Sequence, residues 1–489
     1  MQKNAVISTS DKSGLERVSS FLIDQGYDLF CTSGTHAYLN ERGVRCEPIE
    51  KIARTPEILG GRVKTLSFNL LAGVLAKNRD DEEIKQLGIT PVDLVYVEPY
   101  DFKSRFIRGD TDLVEFIDIG GITILRSAAK NFYRVIPVVG KKNMEKVLEE
   151  MRDGQVPLEL RKYLASEVFR FTSWYDYVVS EWFRGEGDIF SLAGQSILRL
   201  RYGENPHQRA YAYSTYNPFF ETVKEGKEMS FNNVMDAWSA WDLVLRLGAN
   251  SCSIVKHGSP CGAAVGADSP VRAYESDPVS AYGGVMAING EVGESEAEFF
   301  RDKYLEVIIA KDFSQKGLQI LQRKKNLRVL KGNEDAYLVP EVRSVGNVIL
   351  VQDWNRRSDL KMTVRTGDVS KQMIEDIRFG WEVVKSIKSN AIVIVKNCWM
   401  VSSCGGQPNR VDAVRIAVDR AEENNRISDD AILISDGFFP FPDSLEYMWS
   451  KGIRNVAAPT GSVRDSEVIS LAKGYGMNFV DLGERAFRH

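Results

Sequence analysis

Histidine is nearly missing from this chain, with four in 489 residues, at positions 36, 207, 257 and 489. So few imidazoles leave little material for a clustered metal centre, which draws several ligands from histidine, cysteine or carboxylates. Cysteine is scarce as well: Cys31, Cys46, Cys252, Cys261, Cys398 and Cys404 show no C-x-x-C spacing. Neither a disulfide framework nor a structural zinc site is indicated. An excess of positive charge is also absent, with 63 Lys and Arg against 67 Asp and Glu and a net charge of −4. That balance argues against sequence-independent nucleic-acid binding but leaves room for small anions at local basic clusters. No apolar run reaches membrane-spanning length, and the start, MQKNAVISTSDKSG, has no apolar signal region. No low-complexity segment occurs. The expectation is a cytoplasmic, globular protein of two or three domains.

What is present reads as α/β. NAVIST (4–9), YDLFC within 27–35, VDLVYVEPY (92–100) and RVIPVV (134–139) have the β-rich character of buried strands. GLERVSSFLIDQG (14–26) and HAYLNERG have helical spacing, and CTSGT reads as strand followed by a glycine turn. Alternation of this kind predicts a parallel sheet with ligand loops at the strand C-termini. A helical stretch, LELRKYLASEVFRFTSWYDYVVSEWF, closes the block, and RGEGD (184–188) is the candidate linker. The second half carries a faint echo. SIVKHGSPCGAAVG (253–266) recurs in outline as AIVIVKNCWMVSSCGG (391–406), and SDPVSAYGG (276–284) as SDGFFPFPD (435–443). Two matches in one order suggest a duplicated α/β unit.

Several loops carry chemistry. STSDKSG (8–14) ends a strand and opens a helix, so its backbone N–H groups and Lys12 suit a phosphate; alternatively Ser10 or Asp11 caps the helix. CTSGTHA (31–37), with Thr35, and GGRVKTL (60–66), with Arg62, Lys64 and Thr65, strengthen the phosphate reading. In IDIGGITILRSAAKN (117–131), Asp118 and Lys130 are either proton-transfer groups or a cap and a solvated charge. Tyr100 has the same ambiguity between site and packing. LRYGENPHQ (200–208) crowds Arg201, Tyr202, Asn205 and His207 into one broken loop, a density that favours function. Lys256 and His257 can act as a cation and a near-neutral base, and Asn390 as an oxyanion donor or a turn residue. The neighbouring Pro260-Cys261 looks like half of a zinc deaminase. The required second cysteine is Ala264, however, and no H-x-E precedes it. FFPFP (438–442) is an apolar wall or a packed loop.

Taken in order, SDKSG, GGRVKTL, IDIGG…AAKN, LRYGENPHQ, KH…PCG, DPVSAYGG, KSNAIV, GGQPNRVD, SDGFFPFPD and the C-terminal FRH resemble one family. It is the bifunctional purine-biosynthesis family that joins phosphoribosylaminoimidazolecarboxamide (AICAR) formyltransferase to IMP cyclohydrolase. The resemblance runs from about residue 5 to 489. It implies a methylglyoxal-synthase-like parallel α/β domain over 1–190, followed by a duplicated cytidine-deaminase-like α/β region, with subdomains over 195–345 and 346–489. It further implies formyl transfer from 10-formyltetrahydrofolate, as co-substrate, to AICAR, then dehydrative closure to IMP. Lys256, His257 and Asn390 would serve the transfer, with Arg201, Tyr202, His207 and Arg485 holding the nucleotide. Lys64, Tyr100, Asp118 and Lys130 would serve closure, with Ser10, Lys12, Thr35, Arg62 and Thr65 around the phosphate. The resemblance implies no catalytic metal, and a homodimer with the formyltransferase site at its interface. Some members hold a structural potassium ion, to which no residue is assigned here. Partners in nucleic acid or membrane are not implied.

The sequence departs from the family mostly in its first half. Ser67 and Phe68 stand where the family has His-Pro, Ser33 where a glycine is usual, and Glu98, Pro99 and Asp101 within its N-L-Y-P-F run. Cys404 and Pro408 alter a glycine-rich run more mildly. Glu98 matters most, because it sets a carboxylate beside an expected phosphate site. It motivates the alternative of a formyltransferase whose first domain only binds nucleotide.

Overall fold

The computed structural model describes residues 3–183, 189–335, 337–357 and 359–489. The expected linker at 184–188 lies outside the described residues. The chain divides into two compact units, one ending at Gln195 and one beginning at Ser196. Among the described residues no helix is long and apolar enough to cross a membrane.

The first unit is a five-stranded sheet of β1 (Lys3–Thr9), β2 (Tyr27–Cys31), β3 (Glu47–Pro48), β4 (Leu94–Glu98) and β5 (Ile136–Val139), in the order β3-β2-β1-β4-β5. Every pairing is parallel, with Ala5 opposite Leu29 and Leu94. Alternate strand residues face opposite layers, so Ala5, Ile7 and Leu94 pack with Val18 and Leu22 of the helix Leu15–Asp24. Val6, Val95 and Val97 pack with Ile124, Leu125 and Ala128 of the helix Gly120–Lys130. Strand order reverses between β1 and β4, and at such a switch point the loops after neighbouring strands diverge and open a crevice. One local expectation changes: Ser33 and Gly34 do not form a turn but begin the helix Ser33–Glu41.

The second unit opens with a hairpin of β6 (Gln195–Leu200) and β7 (Ala210–Ser214), then the edge strand β8 (Phe220–Lys224). β9 (Ser251–Lys256), β10 (Ser259–Val265), β11 (Gly284–Val292), β12 (Leu305–Phe313) and β13 (Arg328–Gly332) follow. After a second hairpin, β14 (Glu341–Val345) and β15 (Val348–Gln352), and an edge strand β16 (Thr363–Thr366), the pattern returns. Its members are β17 (Ile392–Lys396), β18 (Trp399–Cys404), β19 (Ile432–Ser435), β20 (Asn455–Ala458) and β21 (Asn478–Asp481). All but the two hairpins form one twelve-stranded sheet, β16-β21-β20-β19-β17-β18-β10-β9-β11-β12-β13-β8. In each half a hairpin is flanked by an antiparallel strand that starts a parallel run of three. β10 and β18 join the halves antiparallel at Ala264 and Trp399. The same strand pattern thus occurs twice in the sheet.

Of the two sequence echoes, the first is structural: both stretches form the same hairpin. The second is not. SDPVSAYGG precedes its strand β11, whereas SDGFFPFPD begins at the end of β19. Shared Ser-Asp and aromatic residues mimicked a repeat there. Within FFPFP, Phe439 is buried while Phe438 and Phe441 are exposed.

Candidate functional site

At the switch point of the first unit lies a cleft of about 870 Å³. Ser10, Lys12, Thr35, Arg62, Lys64, Thr65, Tyr100 and Asp118 all line it, brought together from five separate stretches of chain. Neither Ser10 nor Asp11 caps the following helix. The Ser10 hydroxyl donates to the Pro99 carbonyl at 2.9 Å, and Asp11 accepts from the Ser13 N–H at 2.8 Å. Lys12 donates to the Thr35 hydroxyl at 2.8 Å and to the Thr9 carbonyl. Burial, first of all, pulls the Lys12 pKa below its usual value, with Lys64 adding repulsion. Arg62 pairs with Glu115, and the Lys64 ammonium lies 3.4 Å from the Tyr100 hydroxyl.

Asp118 is fixed twice: its carboxylate accepts from the Gly121 N–H at 2.7 Å, and its own N–H donates to the Tyr175 hydroxyl at 2.7 Å. Burial pushes its pKa up, while the Gly121 N–H and Lys64 oppose that. The Gly-Gly pair is required by close approach. A Cβ on Gly120 would lie 2.1 Å from the Thr65 hydroxyl, and one on Gly121 2.8 Å from the Asp118 carboxylate. Asp118 is thus both a helix cap and a cleft residue.

Lys130 does not reach this cleft. It is exposed at the far end of the helix Gly120–Lys130, about 15 Å along the axis from Asp118's end. In a parallel α/β layer that end faces the strand N-termini, and the next residue, Asn131, ties it to the carbonyls of Val74 and Ala76. The other departures have local uses. The Ser67 hydroxyl accepts from the Leu70 N–H and donates to the Ala53 carbonyl, capping the helix Phe68–Leu75; Phe68 is exposed. Asp101 caps the helix Phe102–Arg108 through the Ser104 N–H, and Ser33 bonds Glu57.

In the second unit Lys256 ends β9, with its ammonium on the Tyr282 carbonyl at 2.6 Å. His257 and Gly258 form the two-residue turn to β10, both with positive φ, 54° and 74°. Asp236 of the helix Phe231–Leu247 accepts from both turn N–H groups, at 3.2 and 2.6 Å. A non-glycine residue in the left-handed region is costly, so this carboxylate is what holds the exposed imidazole in place. Sequence reasoning missed Asp236, yet the duplication signals it. Asp376 accepts from the Asn397 and Cys398 N–H groups at 3.0 and 2.6 Å, and each Asp precedes its turn's lysine by 20 residues. Asp236→Ala is expected to cost about 1–3 kcal/mol in chemical denaturation, the worth of two bonds to a buried carboxylate. Cys261 is not poised for chemistry: its thiol donates to the Ile254 carbonyl, and burial pushes its pKa up to about 12.

The remaining nominated residues are more dispersed. Arg201 bonds and stacks on Tyr202, 4.3 Å from ring centroid to guanidinium, in a loop closed by the Gly203 N–H on the Gln208 carbonyl. His207 is exposed at its tip, and Arg485 is exposed beside Phe487. Asn390 is locked: its amide oxygen accepts from Arg410 at 2.8 Å, and its amino group donates to the carbonyls of Gln407 and Pro408. β9 and β17 run antiparallel with two strands between them. Asn390 and Lys256 therefore stand at the same end of the sheet, about 14 Å apart. Among the described residues no group of three His, Cys, Asp or Glu side chains gathers as a metal-ligand set.

The sequence matches two known families: the AICARFT/IMPCHase bienzyme over residues 128–420 and the MGS-like domain over residues 14–123. The bifunctional purine biosynthesis protein PurH of Aquifex aeolicus is 40% identical, covering 99% of this chain and 100% of the relative. Those of Caldicellulosiruptor bescii and Bacillus cereus are each 39% identical across 100% of both chains. The motifs that built both sites thus sit in a matching full-length frame, and the chain belongs to the AICARFT/IMPCHase bienzyme family.

Proposed function

We infer that this chain performs two consecutive steps: formyl transfer from 10-formyltetrahydrofolate to AICAR, then closure of formyl-AICAR to IMP with loss of water. The observation that carries the closing step is the convergence of eight nominated residues on one switch-point cleft. Closure is assigned to the first unit and transfer to the second. In the transfer, the 5-amino group of AICAR attacks the formyl carbon. His257 accepts the amine proton, and the Lys256 ammonium stabilises the tetrahedral oxyanion and protonates the departing folate nitrogen. In the closure, the carboxamide nitrogen attacks the formyl carbon, and the resulting hydroxyl leaves as water. Asp118 and Lys64 exchange the protons, with Tyr100 hydrogen-bonded to Lys64, while Ser10, Lys12, Thr35, Arg62 and Thr65 hold the phosphate. Arg201, Tyr202, His207 and Arg485 are assigned to the nucleotide of the transfer step.

A homodimer belongs to this reading. Asn390 and Lys256 of one chain stand too far apart to share one tetrahedral intermediate, and β15 exposes Val348, Ile349, Leu350 and Val351 together. Its cytoplasmic location is supported by six free cysteines, three of them buried. Lys130 is outside the cleft lining, so on this reading Lys130→Ala is expected to leave closure within about twofold of the unaltered chain. A larger loss measured with formyl-AICAR would return Lys130 to the closing step. The function is tested with the intact chain given formyl-AICAR alone, then AICAR with 10-formyltetrahydrofolate. The first mixture should yield IMP without folate, and the second should release tetrahydrofolate. Failure of either reaction removes the matching half of the assignment.

A further inference from the structure

Among the first-half departures, Ser67 and Asp101 act as helix caps and Ser33 bonds Glu57, whereas Glu98 has no such local use. It ends β4 and forms part of the wall between the phosphate-side cleft and an adjoining pocket lined by Phe102, Phe171 and Trp174. One carboxyl oxygen accepts from the Tyr96 hydroxyl at 2.9 Å, and the other, Oε2, is buried with no hydrogen-bond partner. The cations that could neutralise it are committed elsewhere. Lys141 bonds Asp11 and the Ser13 hydroxyl, and Lys12 bonds the Thr9 carbonyl and the Thr35 hydroxyl.

We propose that Glu98 is a proton-linked sensor of the phosphate cradle: an anionic nucleotide on Ser10, Lys12 and Thr35 is held tightly only while the Glu98 carboxyl is neutral. The proposal rests on the reading of the cleft as the closing site. The titratable groups acting on Glu98 are Asp11 and Lys12 after β1, the neutral Tyr96 hydroxyl on β4, and Lys141 at the start of the helix after β5. Asp101 and Lys103 line the adjoining pocket with it. Burial raises the Glu98 pKa, and Asp11 adds to it; the Tyr96 hydroxyl, the Lys141 charge and the Lys141 N–H pull the other way. A phosphate dianion brought against this group raises it again, so binding takes up a proton. Below the free-state pKa the carboxyl is neutral with or without ligand. Above the pKa in the complex it is ionised in both, and repulsion persists. Between the two, affinity falls as pH rises, by up to about tenfold per pH unit.

The test is calorimetric titration of the intact chain and of Glu98→Gln with IMP, between about pH 5 and pH 8, in buffers of different ionisation enthalpy. The phosphate of IMP titrates identically against both proteins, so the difference isolates residue 98. The ratio of the unaltered Kd to the variant Kd should grow about three- to thirtyfold across the range. The unaltered chain should also take up more protons than the variant. Superimposable pH profiles with equal proton uptake overturn the proposal while leaving the cleft assignment standing. Absence of IMP binding to the unaltered chain overturns both. Tyr96→Phe removes the one hydroxyl donor and should move the window to higher pH; an unmoved window in that variant also counts against the idea.

Discussion

His257→Ala is expected to slow AICAR formylation by about 10²–10⁴-fold, the usual contribution of a positioned general base, with closure of supplied formyl-AICAR unchanged. The expectation follows from how the imidazole is placed. It sits at the tip of a two-residue turn whose left-handed backbone is held by Asp236 and backed by the buried strand β9. Lys256, one residue earlier, is anchored on the Tyr282 carbonyl. The variant removes a base without disturbing the core, since the side chain is exposed. Steady-state rates with AICAR and with formyl-AICAR, measured on one preparation, check it. Equal losses in both reactions would mean that His257 acts through the fold.

Asp118→Asn is expected to have the mirror-image effect. Closure should fall by about 10²–10³-fold while formylation continues, so formyl-AICAR accumulates. The amide keeps the size of the side chain and an oxygen for the Gly121 N–H, so the helix cap survives and the chemistry is isolated. Burial holds the Asp118 pKa above the ordinary carboxylate value. With the ionised form as the working one, closure rises with pH through that elevated pKa, so the acid limb lies above the ordinary carboxylate range. The Asn variant should lose that limb along with the rate. A variant that keeps the limb would assign it to another group.

Part of the first site was legible because SDKSG directly follows the strand β1 and Tyr100 closely follows β4. GGRVKTL and IDIGG come after intervening helical turns and were read from their residue types alone. SDKSG, GGRVKTL and IDIGG each sit where a switch point collects them. Lys130 lies away from the cleft lining because eleven helical residues separate the two ends of its motif by a distance that sequence proximity conceals. Asp236 was missed for the opposite reason. Its partners, His257 and Gly258, are 21 and 22 residues away, and mid-helix it reads as an ordinary surface carboxylate. The duplicated hairpin was visible because Lys256 and Lys396 both end buried strands. The false echo at 435–443 shared residue types with 276–284 but not their place relative to a strand. Glu98 was recognised as a departure, yet its missing cation could not be read, since it depends on where Lys12 and Lys141 spend their hydrogen bonds.

The most direct test of the two-step account is a single incubation of the intact chain with AICAR and 10-formyltetrahydrofolate, with formyl-AICAR and IMP quantified together over time. The account predicts that IMP accumulates in step with tetrahydrofolate release and that formyl-AICAR stays low. Formyl-AICAR building up with no IMP would contradict it, leaving a working second unit beside a first unit that does not close the ring.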